Sequence, residues 1–164
     1  MRLIKSRNRT QALFFAYIKV LFRVMDKAID RFKNNGELVG LFKENGVLFA
    51  YLFGSQALGI VMDKSDIDIA VMLPLSTSKE ERFEMRLKLM SGVSKIFKKD
   101  SDIIILNDTR SLFFKYIIMK EGKIIYQENE ASAADFESKT LGMYFDFRPF
   151  LENYNKVYVK RSLQ

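Results

Sequence analysis

Four residues at fixed offsets carry the chemistry most legible in this chain: Gly54 and Ser55, then ten residues, then Asp66 and Asp68. Gly54 directly follows an apolar run, where a glycine lets the backbone turn sharply. Ser55 then falls at or near a helix N-terminus, whose exposed N–H groups and dipole suit phosphate oxygens. Gly59 offers a second flexible point in the same loop. Asp66 and Asp68 are two apart at the start of a predicted strand, so both carboxylates project from one face while Ile67 serves the other. Two adjacent carboxylates in apolar surroundings repel each other unless a cation lies between them. Mg²⁺ suits such a pair, because it takes one or two protein carboxylates and keeps waters and substrate phosphates.

A third acid is available where Asp102 precedes Ile103-Ile104-Ile105, much as Asp66 precedes its own apolar run. If the two strands are neighbours, Asp102 faces the same site; Asp100 shares its parity but lies further out. Together these parts suit phosphoryl or nucleotidyl transfer. The loop holds the nucleotide phosphates, the paired aspartates hold two metal ions, and the third aspartate positions or deprotonates an attacking hydroxyl. Gly-Ser alone is uninformative, and Asp-x-Asp alone is usually a solvated strand end. All four residues at fixed offsets arise by chance in about a few chains per thousand of this size.

The elements that must position these residues can be read from periodicity. Val47 to Phe53 and Ile67 to Leu73 are short, nearly continuous apolar runs, as expected of strands buried on both faces. Asp102 to Leu106 and Lys123 to Tyr126 are predicted as two more strands. Residues 10–34, Glu37 to Asn45, Lys79 to Lys98 and Ser111 to Glu121 are predicted helices, with Ser78 a candidate N-cap. From Glu130 the chain is predicted to be mostly helical, with an interruption near Pro149. Strands alternating with helices predict an α/β fold, a small mixed sheet of about four strands flanked by helices. The expected organisation is a basic and apolar N-terminal extension over 1–24, a catalytic domain over 25–128 and a C-terminal helical appendage over 129–164.

Composition excludes much else. The 164 residues include no cysteine and no histidine, which removes thiolate and imidazole catalysis and leaves oxygen ligands for any metal. The net charge of +7 first suggests a nucleic-acid binder. However, residues 1–24 hold six basic residues and no acid, so the remaining 140 carry only +1. The run Ala12 to Ile18 is too short to span a membrane, which takes about 20 apolar residues. Three readings of this end stand: a helix packing on the body, a partner-binding tail, or an extension from an early start codon. An accessory helix or extension without its own activity is the favoured one, and any nucleic-acid affinity is expected to be confined to the tail.

At this point the chain resembles the nucleotidyltransferases that carry Gly-Ser-x10-Asp-x-Asp. It is most similar to the minimal nucleotidyltransferases of the polymerase-β-like superfamily that serve as antitoxins in HEPN/MNT toxin–antitoxin pairs. The resemblance covers about Met25 to Tyr158, through LFGSQALG, SDIDIAVML, SDIIIL, FFKYIIMKEGKIIY and YFDFRPFLENY. It implies a polymerase-β-like fold, with Gly54 and Ser55 on ATP phosphates, Asp66 and Asp68 on Mg²⁺, and Asp102 as the third catalytic and metal-binding carboxylate. The implied activity is Mg²⁺-dependent transfer of AMP from ATP to a tyrosine of a HepT-like HEPN RNase toxin, which is thereby silenced. It further implies a cytoplasmic hetero-oligomer with that toxin, with no membrane and no direct nucleic-acid contact. Relatives of this kind often carry Arg or Lys where Leu58 stands here, so a phosphate-facing cation falls to Lys64 or to a partner.

Two alternatives remain open: nucleotidyl transfer to a small molecule such as an aminoglycoside, and a non-catalytic antitoxin that acts by binding alone. An Arg-x4–6-His motif in the neighbouring gene product would mark a HEPN partner. The bland readings sit beside these. FFAY, LFAYLF and SLFFKYI are read as core rather than base-stacking surface. Glu80 to Lys88 reads as the wet face of a helix. Lys95, Lys98 and Lys99 read as cations suited to its C-terminus. Phe145, Phe147, Phe150 and Tyr154 are read as either core or partner surface.

Overall fold

The computed structural model describes residues 29–57 and 65–162, with the side chains of residues 151–162 outside that description. The N-terminal extension, most of the predicted helix over 10–34, and Leu58, Gly59 and Lys64 all lie outside the described residues.

Residues 29–33 are helical and lead through Asn34 and Asn35 into α1, Gly36–Glu44. Asn35 caps α1 by accepting from Leu38 N–H at 2.9 Å, as a short acceptor side chain does for an unpaired helix N–H. The chain continues as β1 (Phe49–Phe53), the one-turn α2 (Gly54–Ala57) and β2 (Ile67–Met72). Then come α3 (Lys79–Phe97), β3 (Ser101–Ile105), α4 (Leu112–Glu121), β4 (Lys123–Gln127) and α5 (Glu130–Ser162). Ser78 closes a capping box with Glu81: its hydroxyl accepts from Glu81 N–H at 3.2 Å, and Glu81 accepts from Ser78 N–H at 2.7 Å.

The strands form one sheet in the order β3-β2-β1-β4. β2 and β3 run parallel, joined by the α3 crossover that a parallel pair requires, and β1 pairs antiparallel with both β2 and β4. The mixed four-stranded α/β fold expected from the sequence is therefore present.

Alternation along β2 divides the core. Ile67, Ile69 and Val71 face one side, where they join Phe32, Leu38, Phe42, Leu89 and Val93 from the helices at 29–33, α1 and α3. Ala70 and Met72 face the other side, with Phe49, Tyr51, Ile118, Ala133 and Phe136 beneath α4 and the first turns of α5. Tyr51, at the centre of the sheet, donates to Glu137 at 2.6 Å and so ties α5 to β1. Burial, with Glu137 beside it, pushes the Tyr51 phenol well above its ordinary range, so it remains a neutral donor.

One expectation is corrected. The C-terminal segment is not interrupted at Pro149; α5 runs unbroken from Glu130 to Ser162 with the proline inside it. Proline removes one N–H and crowds the carbonyl four residues back. Here Phe145, Arg148, Pro149 and Phe150 are all exposed, so water can serve the released carbonyl. Phe145, Phe147 and Phe150 are 52%, 43% and 62% exposed, so they form surface and not core.

Candidate active site

The site lies at one end of the sheet, on the face covered by α4 and α5. There β1 ends while β2 and β3 begin, because β1 is antiparallel to its neighbour and β3 is parallel to it. Phe53 is paired with Asp68 across β1 and β2, and Gly54 leaves the strand with φ +68°, the left-handed region that favours glycine. Space matters as much as conformation here, since a Cβ on Gly54 would collide with Oδ2 of Asp68. Gly54 thus turns the chain and leaves room for the carboxylate beside it.

Asp68 and Asp102 are register partners on adjacent parallel strands, and partners in a ladder share a face. The condition set on the sequence, that these two strands be neighbours, is met. Asp66 precedes β2 by one residue and is exposed, whereas Asp68 is partly buried. Burial is the largest cause raising the Asp68 carboxyl above its ordinary value, followed by the charges of Asp102 and Asp66. Asp100 is exposed and supplies its carbonyl to Ile67 N–H at 2.9 Å, which starts the β2–β3 ladder.

Two residues that sequence reasoning did not single out complete the site. Gln56 is 2% exposed, and its Nε2 donates to the carbonyl of Ser65 at 3.3 Å, linking the Gly-Ser turn to the residue before Asp66. Arg86, read from the sequence as part of a wet helix face, has Nη2 3.1 Å from Oδ1 of Asp102. Gln56 could have been suspected as an amide inside an otherwise small and apolar loop. No local signal distinguishes Arg86 from the other charges of α3.

Among the described residues no three Asp or Glu side chains converge tightly enough to hold an ion without other ligands. The chemistry of the carboxylate donors themselves suits Mg²⁺, which binds through one or two carboxylates and completes its shell with water and substrate oxygens. Asp66 and Asp68 would hold it, with Asp102 alongside; burial first, and then the charges of Asp102 and Asp66, raise the Asp68 carboxyl.

Such a strand-borne carboxylate trio beside a Gly-Ser turn, on a small mixed sheet, defines a nucleotidyltransferase domain. The chain belongs to the Polymerase beta, Nucleotidyltransferase family, whose profile matches residues 37–131. Among solved structures, a chain of a toxin–antitoxin structure with AMP-PNP is similar at a TM-score of 0.59 and 23% identity, over 78% of this chain and 97% of that one. A chain of the tri-AMPylated Shewanella oneidensis HEPN toxin in complex with MNT antitoxin gives 0.55 and 22%, over 83% and 99%. A chain of the MntA–HepT toxin–antitoxin gives 0.53 and 22%, over 78% and 95%. At such identities these likenesses establish the fold. Comparison with curated proteins gives no match. Among the described residues no helix is long and apolar enough to cross a membrane.

Proposed function

We propose that this protein is an Mg²⁺-dependent protein adenylyltransferase that acts as an antitoxin, transferring AMP from ATP to a tyrosine of a cognate HEPN toxin in the cytoplasm. The observation that carries the reading is the convergence of Gly54, Ser55, Asp66, Asp68 and Asp102 at one end of the sheet, with Asp68 and Asp102 in register. The similarity to chains of toxin–antitoxin structures, one with AMP-PNP and one with a tri-AMPylated HEPN toxin, supports the choice of nucleotide and acceptor.

In this mechanism the Gly54-Ser55 turn receives the triphosphate, and Gly54 leaves the space in which Asp68 meets it. Asp66 and Asp68 would hold Mg²⁺, which when bound supplies positive charge to the phosphate oxygens as negative charge develops there. Asp102 accepts the proton of the acceptor tyrosine. The phenolic oxygen then bonds to the α-phosphorus while the bond from that phosphorus to the β-phosphate oxygen breaks. Pyrophosphate leaves with the bonding pair, and the proton passes from Asp102 to water. Exposure of Asp102 suits an acceptor that arrives on a separate protein.

The test is incubation with α-labelled ATP, Mg²⁺ and the cognate toxin. Label is expected on a toxin tyrosine, and Asp66→Asn with Asp68→Asn should reduce it by at least about a hundredfold. Persistent labelling in that variant would overturn the mechanism. A binding-only antitoxin is favoured by one observation, the half-exposed Phe145, Phe147 and Phe150 on α5. Neutralisation that survives the double Asp→Asn change would establish it instead.

A further inference from the structure

Arg86 leaves α3 on the sheet face opposite the carboxylates and reaches round the open edge of β3 to meet one of them. β3 is an edge strand, and the bonds made by Asp100 and Leu106 toward β2 place the backbone groups of Ile103 on the outer side. The Arg86 Nε donates to that outward carbonyl of Ile103 at 2.7 Å, while Nη2 bonds Oδ1 of Asp102 at 3.1 Å. Two bonds from separate corners of one planar group fix its orientation, which a lysine ammonium cannot reproduce. The neighbouring cation is otherwise engaged: Arg82 bonds Asp108 at 2.7 Å and the Thr77 carbonyl at 2.6 Å. Both members of the Arg86–Asp102 pair are about half exposed, at 45% and 52%, so the pair adds little to folding stability. Its position therefore matters more than its strength. It lies one strand from Asp68 in register, at the place where three negative charges gather.

We propose that Arg86 is the positioning residue of Asp102, holding that carboxylate at the sheet edge in register with Asp68 and serving as the counter-ion an arriving divalent cation has to outcompete. This rests on the reading of Asp66, Asp68 and Asp102 as the metal-side carboxylates. It predicts two effects of opposite sign on removing the guanidinium. Loss of the guanidinium releases Asp102 from its ion pair and so strengthens that carboxylate's attraction for a divalent cation, while loss of the fork leaves Asp102 misplaced for proton transfer. A merely structural role would weaken both together.

The experiment titrates nucleotide-free protein with Mn²⁺, followed by electron paramagnetic resonance, beside transfer kinetics with the cognate toxin. Arg86→Met is expected to bind Mn²⁺ about three- to tenfold more tightly. Its kcat is expected to fall at least about tenfold, with KM for ATP changed less than about threefold. Arg86→Lys, which keeps the charge without the fork, should bind Mn²⁺ as the wild type does and recover part of the rate. Asp102→Asn and the double variant Asp102→Asn/Arg86→Met should bind Mn²⁺ equally, because the coupling runs through Asp102. Unchanged or weaker Mn²⁺ binding by a folded Arg86→Met overturns the proposal, and so does a difference between those two Asp102 variants. Should Arg86→Met not fold, wild-type rate in Arg86→Lys overturns it. Equal Mn²⁺ affinity in the wild type and in Asp66→Asn/Asp68→Asn overturns the metal reading as well. Loss in that variant with no change in Arg86→Met overturns the inference alone.

Discussion

Asp68 is where the competing forces on a single residue are most visible. Burial and two neighbouring carboxylates hold its carboxyl above the ordinary value, so its ionised form opposes folding of the metal-free protein. With the folded-state value raised, the unfolded chain releases this proton first as pH rises. Stability from this group is therefore fullest at pH below the ordinary carboxylate range and is lost as pH climbs through the raised value. Asp68→Asn is accordingly expected to raise the Tm of metal-free protein at pH 7–8, with the gain vanishing below about pH 4. Thermal unfolding across pH checks both. Mg²⁺ should raise the Tm of the wild type more than that of the variant, by linkage. Gly54→Ala carries two penalties, a non-glycine residue at φ +68° and a collision with Asp68 Oδ2. It is expected to cost at least about 1–2 kcal/mol and to abolish transfer, as read by denaturant midpoint and by labelling. Gly54, Ser55, Asp66 and Asp68 were legible because their spacing is local to one strand–turn–strand segment. Arg86 was not, because a charge on a helix surface acquires its partner only when the helix is placed against a strand edge.

At the scale of elements, α3 positions the site as much as the strands do, since it both crosses from β2 to β3 and carries Arg86. Its start depends on the capping box at Ser78, and Ser78→Ala should cost about 1 kcal/mol, lowering the denaturant midpoint without changing the m-value. α5 is held differently. Its first turns enter the core through Ala133 and Phe136, and Tyr51 fastens them to the central strand through Glu137 at 2.6 Å. Tyr51→Phe leaves that acceptor without its donor and should cost about 1–2 kcal/mol in the same measurement. Helix boundaries were read from the sequence to within a residue or two for α1, α3 and α4, where caps and glycines are local signals. The continuation of α5 through Pro149 was misread because a proline's local cost is decided by whether its surroundings are wet or packed, and local sequence does not reveal that.

For the molecule as a whole, the +7 charge is unevenly distributed, with six charges in residues 1–24 and a nearly neutral remainder. Deleting residues 1–24 is expected to abolish retention on a polyanion column at about 0.1–0.2 M salt, since exposed charges are screened beyond about 8–10 Å. On α5 the exposed Phe145, Phe147 and Phe150 are a liability in a free monomer, because apolar surface left in water favours association. Replacing all three with serine should leave Tm within about 3 °C and reduce self-association at high concentration, as measured by light scattering.

The sequence by itself determined the order of strands and helices, the exclusion of thiol and imidazole chemistry, and the pairing of Gly54-Ser55 with Asp66 and Asp68. Each of these follows from residue type or from periodicity within about a dozen positions, a range over which backbone geometry is predictable. The tertiary structure alone decided that Asp102 stands opposite Asp68, that Arg86 crosses the edge of β3 to reach it, and that Phe145, Phe147 and Phe150 are surface. Those facts depend on which strands are neighbours and which edge is left open. Long-range packing fixes both, because burying Ile67, Ile69 and Val71 on one face and Ala70 and Met72 on the other admits a single register for the strands that carry the carboxylates.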